Sequence, residues 1–394
     1  MLTTAADAGA PPASGPLRVH PANPRYFADA QGRAVYLTGS HTWSNLQEMW
    51  SNSFPVTFNF NQYLDLLEAN NHNFIRLWHA EMPMLRYNGD TEYRRTSPHP
   101  WLRTGPGAAG DGQPKFNLNQ FDQAYFNRLR ERCMAAGQRG IYVSIMLFEG
   151  YTLSNIEDGW FSHPFNSNNN INGVDGDFNN NGWGEEIHTL EIPAVTAVQA
   201  AYVRKVIDTV NDLDNVMFEI ANESHGESVQ WHEYFIDYIH EYESTKPQQH
   251  LVWWTTPLAN VGNALWTSEA EVISPGNNDA SGAYQNNPPA NNGSKIILTD
   301  TDHLWGCGGN VAWVWKSFTR GLHPIYMDPY YDDSPFCSDP DPGIRAAMGH
   351  TRGYALRMNL ANCLPSTSLA NTGYCWPTPT TPTLCTHHLA GQSR

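Results

Sequence analysis

The sequence predicts an α/β chain folded as a (β/α)8 TIM barrel, preceded by a short N-terminal β-hairpin. Three observations predict it. Eight short apolar, β-type runs recur along the chain. Helical patterns separate most of them, the signature of repeated βα units around a parallel sheet. The length of 394 residues suits one barrel with long rim loops as well as two or three smaller domains.

The elements follow in order. Residues 1–16, MLTTAADAGAPPASGP, are small and polar and are expected to form a flexible leader. They lack the basic and apolar segments of a signal peptide. LRVHPANPRYFADAQGRAVYL reads as a strand, a turn at Ala30-Gln31-Gly32 and a returning strand. The barrel strands are then expected at 34–39, 73–78, 141–147, 216–221, 251–256, 271–275, 295–300 and 323–328. Apolar residues at helical spacing predict helices over 61–70, 121–136, 194–210, 229–242 and 344–360. The connections after the fifth and sixth strands show no clear long helix. The barrel with its hairpin is expected over 17–362. Residues 363–394, rich in Thr and Pro, read as an irregular tail, the remnant of an accessory β domain truncated or altered near Tyr374.

Composition narrows the function. Lys and Arg total 23 against 39 Asp and Glu, a net charge of −16. That excludes a phosphate-backbone partner, which needs clustered cations. No run of 18 apolar residues occurs, so no membrane-spanning helix is expected. Only 16% of residues are charged, whereas 12% are aromatic, including 14 Trp. Aromatic faces and neutral amides suit uncharged, hydroxyl-rich ligands, although aromatics also fill cores. Oligomeric state is not legible.

In a barrel of this class, functional groups collect at the C-terminal ends of the strands. Here the tips carry Ser40-His41-Thr42-Trp43, His79-Ala80-Glu81, Phe148-Glu149-Gly150-Tyr151, Asn222-Glu223-Ser224-His225, Asp302-His303-Leu304-Trp305 and Pro329-Tyr330-Tyr331. The sharpest is NVMFEIANES, 215–224, where a hydrophobic strand runs straight into Asn222-Glu223. A carboxyl at such a tip is desolvated, which raises its pKa toward the range of a general acid. The alternative is a helix cap, which Ser224 also offers.

The phrase FEIANE after a central barrel strand resembles the fourth-strand motif of clan A glycoside hydrolases, the cellulase-like family five enzymes and the apiosidase-like families. The resemblance runs from about Pro24 to Leu360. It implies that Glu223 is the acid/base, that Asn222 binds the sugar hydroxyl beside the scissile bond, and that Arg76 in FIRLW keeps the second carboxylate ionised. That carboxylate is usually a Glu ending strand seven. KIILTDTDHLWG departs from the pattern, offering Asp300 at the aligned position and Asp302 two residues on. Alignment favours Asp300 as nucleophile, with Asp302 the alternative. Glu149 is a third carboxylate, for sugar hydroxyls or a helix cap. His41, Trp43, His79, His303, Trp305 and Tyr330 are the further substrate-binding candidates, the aromatic ones by stacking on sugar rings.

The expected function is therefore a glycoside hydrolase, acting on O-glycosidic bonds of a neutral poly- or oligosaccharide by two-carboxylate catalysis with retention. The rivals are a carbohydrate-binding barrel without activity and a metal-dependent barrel hydrolase. No His-x-His favours the latter, and catalysis needs no cofactor. A structural calcium ion is suggested by the loop 166–186, where Asp175, Asp177, Asn179 and Glu186 fall at positions 1, 3, 5 and 12 of the EF-hand pattern. The other reading is a polar loop lining the groove. Six cysteines without a Cys-x-x-Cys pair fit one or two disulfides in a secreted or periplasmic enzyme, with Cys307–Cys337 the candidate pair.

Overall fold

The computed structural model describes residues 11–52, 57–87, 90–277, 284–330, 341–369, 372–376 and the backbone of 384–385. Eight parallel strands form the barrel: β1 (Gly39–His41), β2 (Phe74–Leu77), β3 (Tyr142–Glu149), β4 (Val216–Asn222), β5 (Val252–Thr255), β6 (Val272–Ser274), β7 (Ile296–Asp300) and β8 (His323–Met327). Their order around the sheet is β1-β8-β7-β6-β5-β4-β3-β2. Every residue of these strands is buried. This is why they read as near-continuous apolar runs rather than as alternating ones.

Asn73 stitches β1 to β2. Its backbone N–H donates to Thr38 O at 3.0 Å, and its side-chain oxygen accepts from Thr38 N at 3.0 Å. Gly39 permits the approach, because a Cβ there would sit 2.2 Å from Phe74 O.

The expected first strand is displaced. Ala34–Val35 belongs to a three-stranded antiparallel sheet with Phe27–Ala28 and Arg18–Val19. Phe27 of this sheet and Leu17, just before it, join the apolar cluster of Phe74, Met217, Trp253, Val272, Ile296 and Leu298, and so close the lower end of the barrel.

Helices α1 (Phe60–Ala69), α2 (Gln123–Gln138), α3 (Pro193–Val210), α4 (Val229–Glu243), α5 (Val311–Thr319) and α6 (Pro342–Ala355) surround the sheet. α5 was not expected. Its sequence VAWVWKSFT is β-branched and aromatic, yet Asn310 caps it through Trp313 N, and one face buries Trp313, Val314 and Phe318. Also unexpected is the antiparallel hairpin Trp101–Ala108/Pro114–Phe121 between β2 and β3, which takes Phe121 out of α2. Beyond the barrel, Tyr374 is buried against Arg320, whose guanidinium carbon lies 4.3 Å from its ring centre, and Cys375–Trp376 pairs with Leu384–Cys385.

Candidate active site

The barrel interior is layered. An apolar layer containing Trp253 lies below, and Trp78, Met146 and Met327 lie above. Between them sits the Arg76 guanidinium, 4.9 Å from the Trp78 ring centre and 5.3 Å from that of Trp253. Fully buried, it donates to Glu219 on β4 at 3.0 and 2.5 Å, to Asp300 and Asp302 at 3.0 Å each, and to Asn222 Oδ1 at 2.7 Å. Burial alone would lower its pKa, but the carboxylates of Glu219 and Asp300 carry it upward. One cation thus faces three carboxylates, and the excess negative charge must be absorbed by a proton nearby.

The two strand-seven aspartates differ in environment. Asp300 ends β7, has no solvent exposure and accepts three donors: His41 Nε2 at 2.9 Å, Arg76 at 3.0 Å and Asp302 N at 3.0 Å. Burial opposes its charge, yet His41 and Arg76 hold it well below the usual carboxylate range. Trp78 Nε1 donates to His41 Nδ1 at 3.0 Å, which leaves the proton on His41 Nε2 for Asp300. Asp302 stands in the short helix Thr301–Trp305 and lines the cavity above. Burial, and then the neighbouring Asp300 charge against the pull of Arg76, push it up to about 6.

Glu223 lines the same cavity, directly after β4. Burial and the charges of Asp302 and Glu149 raise its pKa well above the ordinary value. Its backbone is left-handed, with φ 42°, a conformation that costs a non-glycine residue about 1–3 kcal/mol. Next to it, Asn222 Oδ1 accepts from both Arg76 and His303 Nε2, at 2.7 and 3.0 Å. Its amide N–H groups are therefore turned the other way, toward the cavity it lines.

The cavity encloses about 220 Å³. Of the residues expected from sequence, Glu223, Asp302, Asn222, Glu149, Trp43, His79 and Trp305 line it. Arg76, His41, Asp300 and His303 do not. They lie beneath it, bonded to one another and to the residues that line it. Tyr330 points elsewhere, its ring 5.5 Å from that of Tyr63 and 6.3 Å from that of Phe58. Tyr331 and Cys337 lie outside the described residues. Cys307 at the rim is disulfide-bonded, and Cys133 and Cys363 are free and buried.

Sequence reasoning missed Glu219 and gave Glu81 no role beyond its place in a strand tip. Glu219 accepts from Thr255 Oγ1 at 2.8 Å as well as from Arg76. It hides two residues before an apolar strand end, where nothing marks it as functional. Glu81 was visible in the tip His79-Ala80-Glu81. It lines the cavity and accepts from Glu149 N at 2.7 Å and His163 Nε2 at 2.9 Å, with His188 Nε2 at 3.4 Å. Burial would raise its pKa, but the two histidines hold it low. Glu149, buried beside that charge, is pushed up to about 7. His79 is lowered by burial to about 4 and takes Tyr125 Oη at Nδ1, 2.8 Å away.

Among the described residues, Asp300, Asp302 and His303 are grouped closely enough to hold a metal, their ligand atoms within 4.8 Å of one another. Arg76 already occupies both carboxylates and His303 Nε2 is turned to Asn222. A dication there would meet a buried guanidinium, so this group does not fit a metal. In the 166–186 loop, Asp177 and Glu186 approach the same backbone, whereas Asp175 is exposed and turned to Ser167 Oγ at 3.1 Å. Asn180 is left-handed, with φ 58°.

A family model described as "Domain of unknown function (DUF6298)" matches residues 85–267. No curated protein matches the chain by sequence. Among solved structures, the chain resembles a putative glycoside hydrolase from Bacteroides vulgatus, with a TM-score of 0.56 and 13% identity over 94% of this chain. It spans 65% of that protein's length. A glycoside hydrolase family 5 protein from the same organism matches with a TM-score of 0.54 and 14% identity, over 91% of this chain and 77% of that one. The endo-1,4-beta-mannanase from Rhizomucor miehei matches with a TM-score of 0.54 and 10% identity, over 84% of this chain and 98% of that one. At these identities the likeness is one of fold, a barrel shared with glycoside hydrolases.

Proposed function

We propose that the chain is a retaining O-glycoside hydrolase acting on a neutral oligo- or polysaccharide, with Glu223 as acid/base and Asp302 as nucleophile. One observation carries the reading. A carboxyl whose burial favours its protonated form and a carboxyl braced by a buried arginine line one aromatic-walled cavity at the C-terminal end of a barrel. The choice of Asp302 departs from alignment, which favoured Asp300, because Asp300 is sealed beneath the cavity with three donors on it. Fold likeness to glycoside hydrolases supports the reaction class.

In the first step Glu223 gives its proton to the glycosidic oxygen as the C1–O bond breaks. The Asp302 carboxylate bonds to C1, forming a glycosyl ester. In the second, the Glu223 carboxylate takes a proton from water, whose oxygen attacks C1 and releases Asp302. Asn222 offers its amide N–H groups to a ring hydroxyl, Glu81 accepts from others, and Trp43 and Trp305 supply stacking faces.

The test is an aryl-glycoside and polysaccharide screen of wild type, Glu223→Gln and Asp302→Asn, followed by anomer analysis by NMR. The expected result is hydrolysis with retention, lost by about 10²–10⁴-fold in Glu223→Gln. Full activity in either variant would overturn the site, and inversion would make Asp302 a general base. Binding of glycans without turnover by wild type would leave the carbohydrate-binding barrel in its place.

A further inference from the structure

The loop that suggested calcium in the sequence is built around a different register. Asp177 collects two backbone N–H groups of the loop, whereas Asp175 accepts only that of Asp177, at 3.3 Å. Asp177 Oδ1 accepts from Asn181 N at 3.0 Å and its Oδ2 from Gly182 N at 2.9 Å. Asn179 and Asn181 follow at alternate positions, and Gly182 is left-handed, with φ 85°. Set with Asp177 first, the series places oxygen-bearing side chains at positions 1, 3 and 5, the glycine at 6 and the Trp183 carbonyl at 7, the order in which a calcium loop begins, while Glu186 falls at 10 and His188 stands at 12, where that loop carries its glutamate.

A second, independent feature points to a ligand. Glu186, in the short turn of helix Glu185–His188, is only 8% exposed. Its Oε1 accepts from Asn179 N at 3.1 Å, which lays the carboxylate against the loop. Its Oε2 is buried with no hydrogen-bond partner. A buried carboxylate oxygen without a donor is costly, and a hard cation is the group that most readily meets that need beside Asp and Asn oxygens.

We propose that Asp177, Asn179, Asn181, the Trp183 carbonyl and Glu186 bind a calcium ion, with Asp175 outside the site. The ion would pin the segment that serves the cavity from both sides. Two residues beyond Glu186, His188 stands beside Glu81. Next to Glu186, the Glu185 carbonyl accepts His225 Nε2 at 2.8 Å, just past Glu223.

The experiment uses the full chain stripped with EDTA. Calcium binding is followed by calorimetry, by displacement of terbium whose emission is sensitised by Trp183, and by melting temperature, with magnesium as the comparison. The expected result is one calcium bound per chain and a melting temperature higher by about 5 °C or more in calcium than in EDTA. Affinity should fall at least tenfold in Glu186→Gln and Asn181→Ala and stay within twofold in Asp175→Asn. Asn181 is exposed, so its variant tests the site even if Glu186→Gln fails to fold. Identical melting in EDTA and calcium with no bound ion would overturn the proposal. So would loss of binding in Asp175→Asn with Asn181→Ala unaffected, since that would restore the other register.

Discussion

Asp300 and Asp302 are separated by one residue, carry the same functional group and touch the same guanidinium nitrogen of Arg76, yet their pKa values move in opposite directions. The difference lies in donors: three for Asp300, against one within 3.0 Å for Asp302. In the proposed mechanism their roles divide accordingly, and the pH profile of kcat/KM should show it. Activity should fall below about pH 6 as Asp302 takes a proton, and again at high pH as Glu223 loses its own. Asp300→Asn removes a fixed negative charge beside Asp302, so the acid limb should move to lower pH, whereas Asp302→Asn should abolish turnover. An unmoved acid limb in Asp300→Asn would contradict the coupling. Arg76→Met strands three buried carboxylates and should cost about 3–5 kcal/mol in denaturant unfolding. Glu223 and Asn222 were legible because a strand tip is a place where chemistry concentrates. Which of the two aspartates lines the cavity was not, because His41 and Arg76, both distant in sequence, hold Asp300 beneath it.

At the scale of elements, the seam between β1 and β2 depends on a glycine chosen for absence of bulk. Gly39→Ala forces a Cβ against Phe74 O. The barrel must open there, and unfolding should be easier by at least about 1–3 kcal/mol, read from the denaturant midpoint. Seven of the eight strands were readable as buried apolar runs at their observed places. The first was misplaced because Ala34–Val35 is also β-type and pairs locally with Phe27–Ala28. The hairpin 101–121 escaped because Gly105-Pro106-Gly107 interrupts it and its faces do not alternate cleanly. α5 escaped because Trp, Val and Phe favour strands in isolation, and only burial of one face makes it a helix.

At the scale of the molecule, stability should peak in mild acid. Asp300 and Glu81 have depressed pKa values, so their contribution is present above the unfolded values of 3.8 and 4.5 and is lost as pH falls below them. Glu149 and Asp302 have raised values, about 7 and about 6. What they contribute is present below their unfolded values and is lost as pH rises through the folded ones. For Glu149 the loss is on the order of 3 kcal/mol across that window. Melting curves from pH 4 to 8 should therefore decline on the alkaline side. Glu149→Gln should flatten that decline, and an unchanged slope would show that Glu149 is not its source.

The ionic layer at the centre of the barrel has one more consequence. Single replacements there strand a charge, whereas exchanging the whole group for fitted apolar residues is often neutral or favourable. A library selected only for heat resistance should therefore reach, by joint changes at Arg76, Glu219, Asp300 and Asp302, barrels that outlast the parent and do nothing. The trade-off between endurance and work in this fold sits in one layer of side chains and can be measured there.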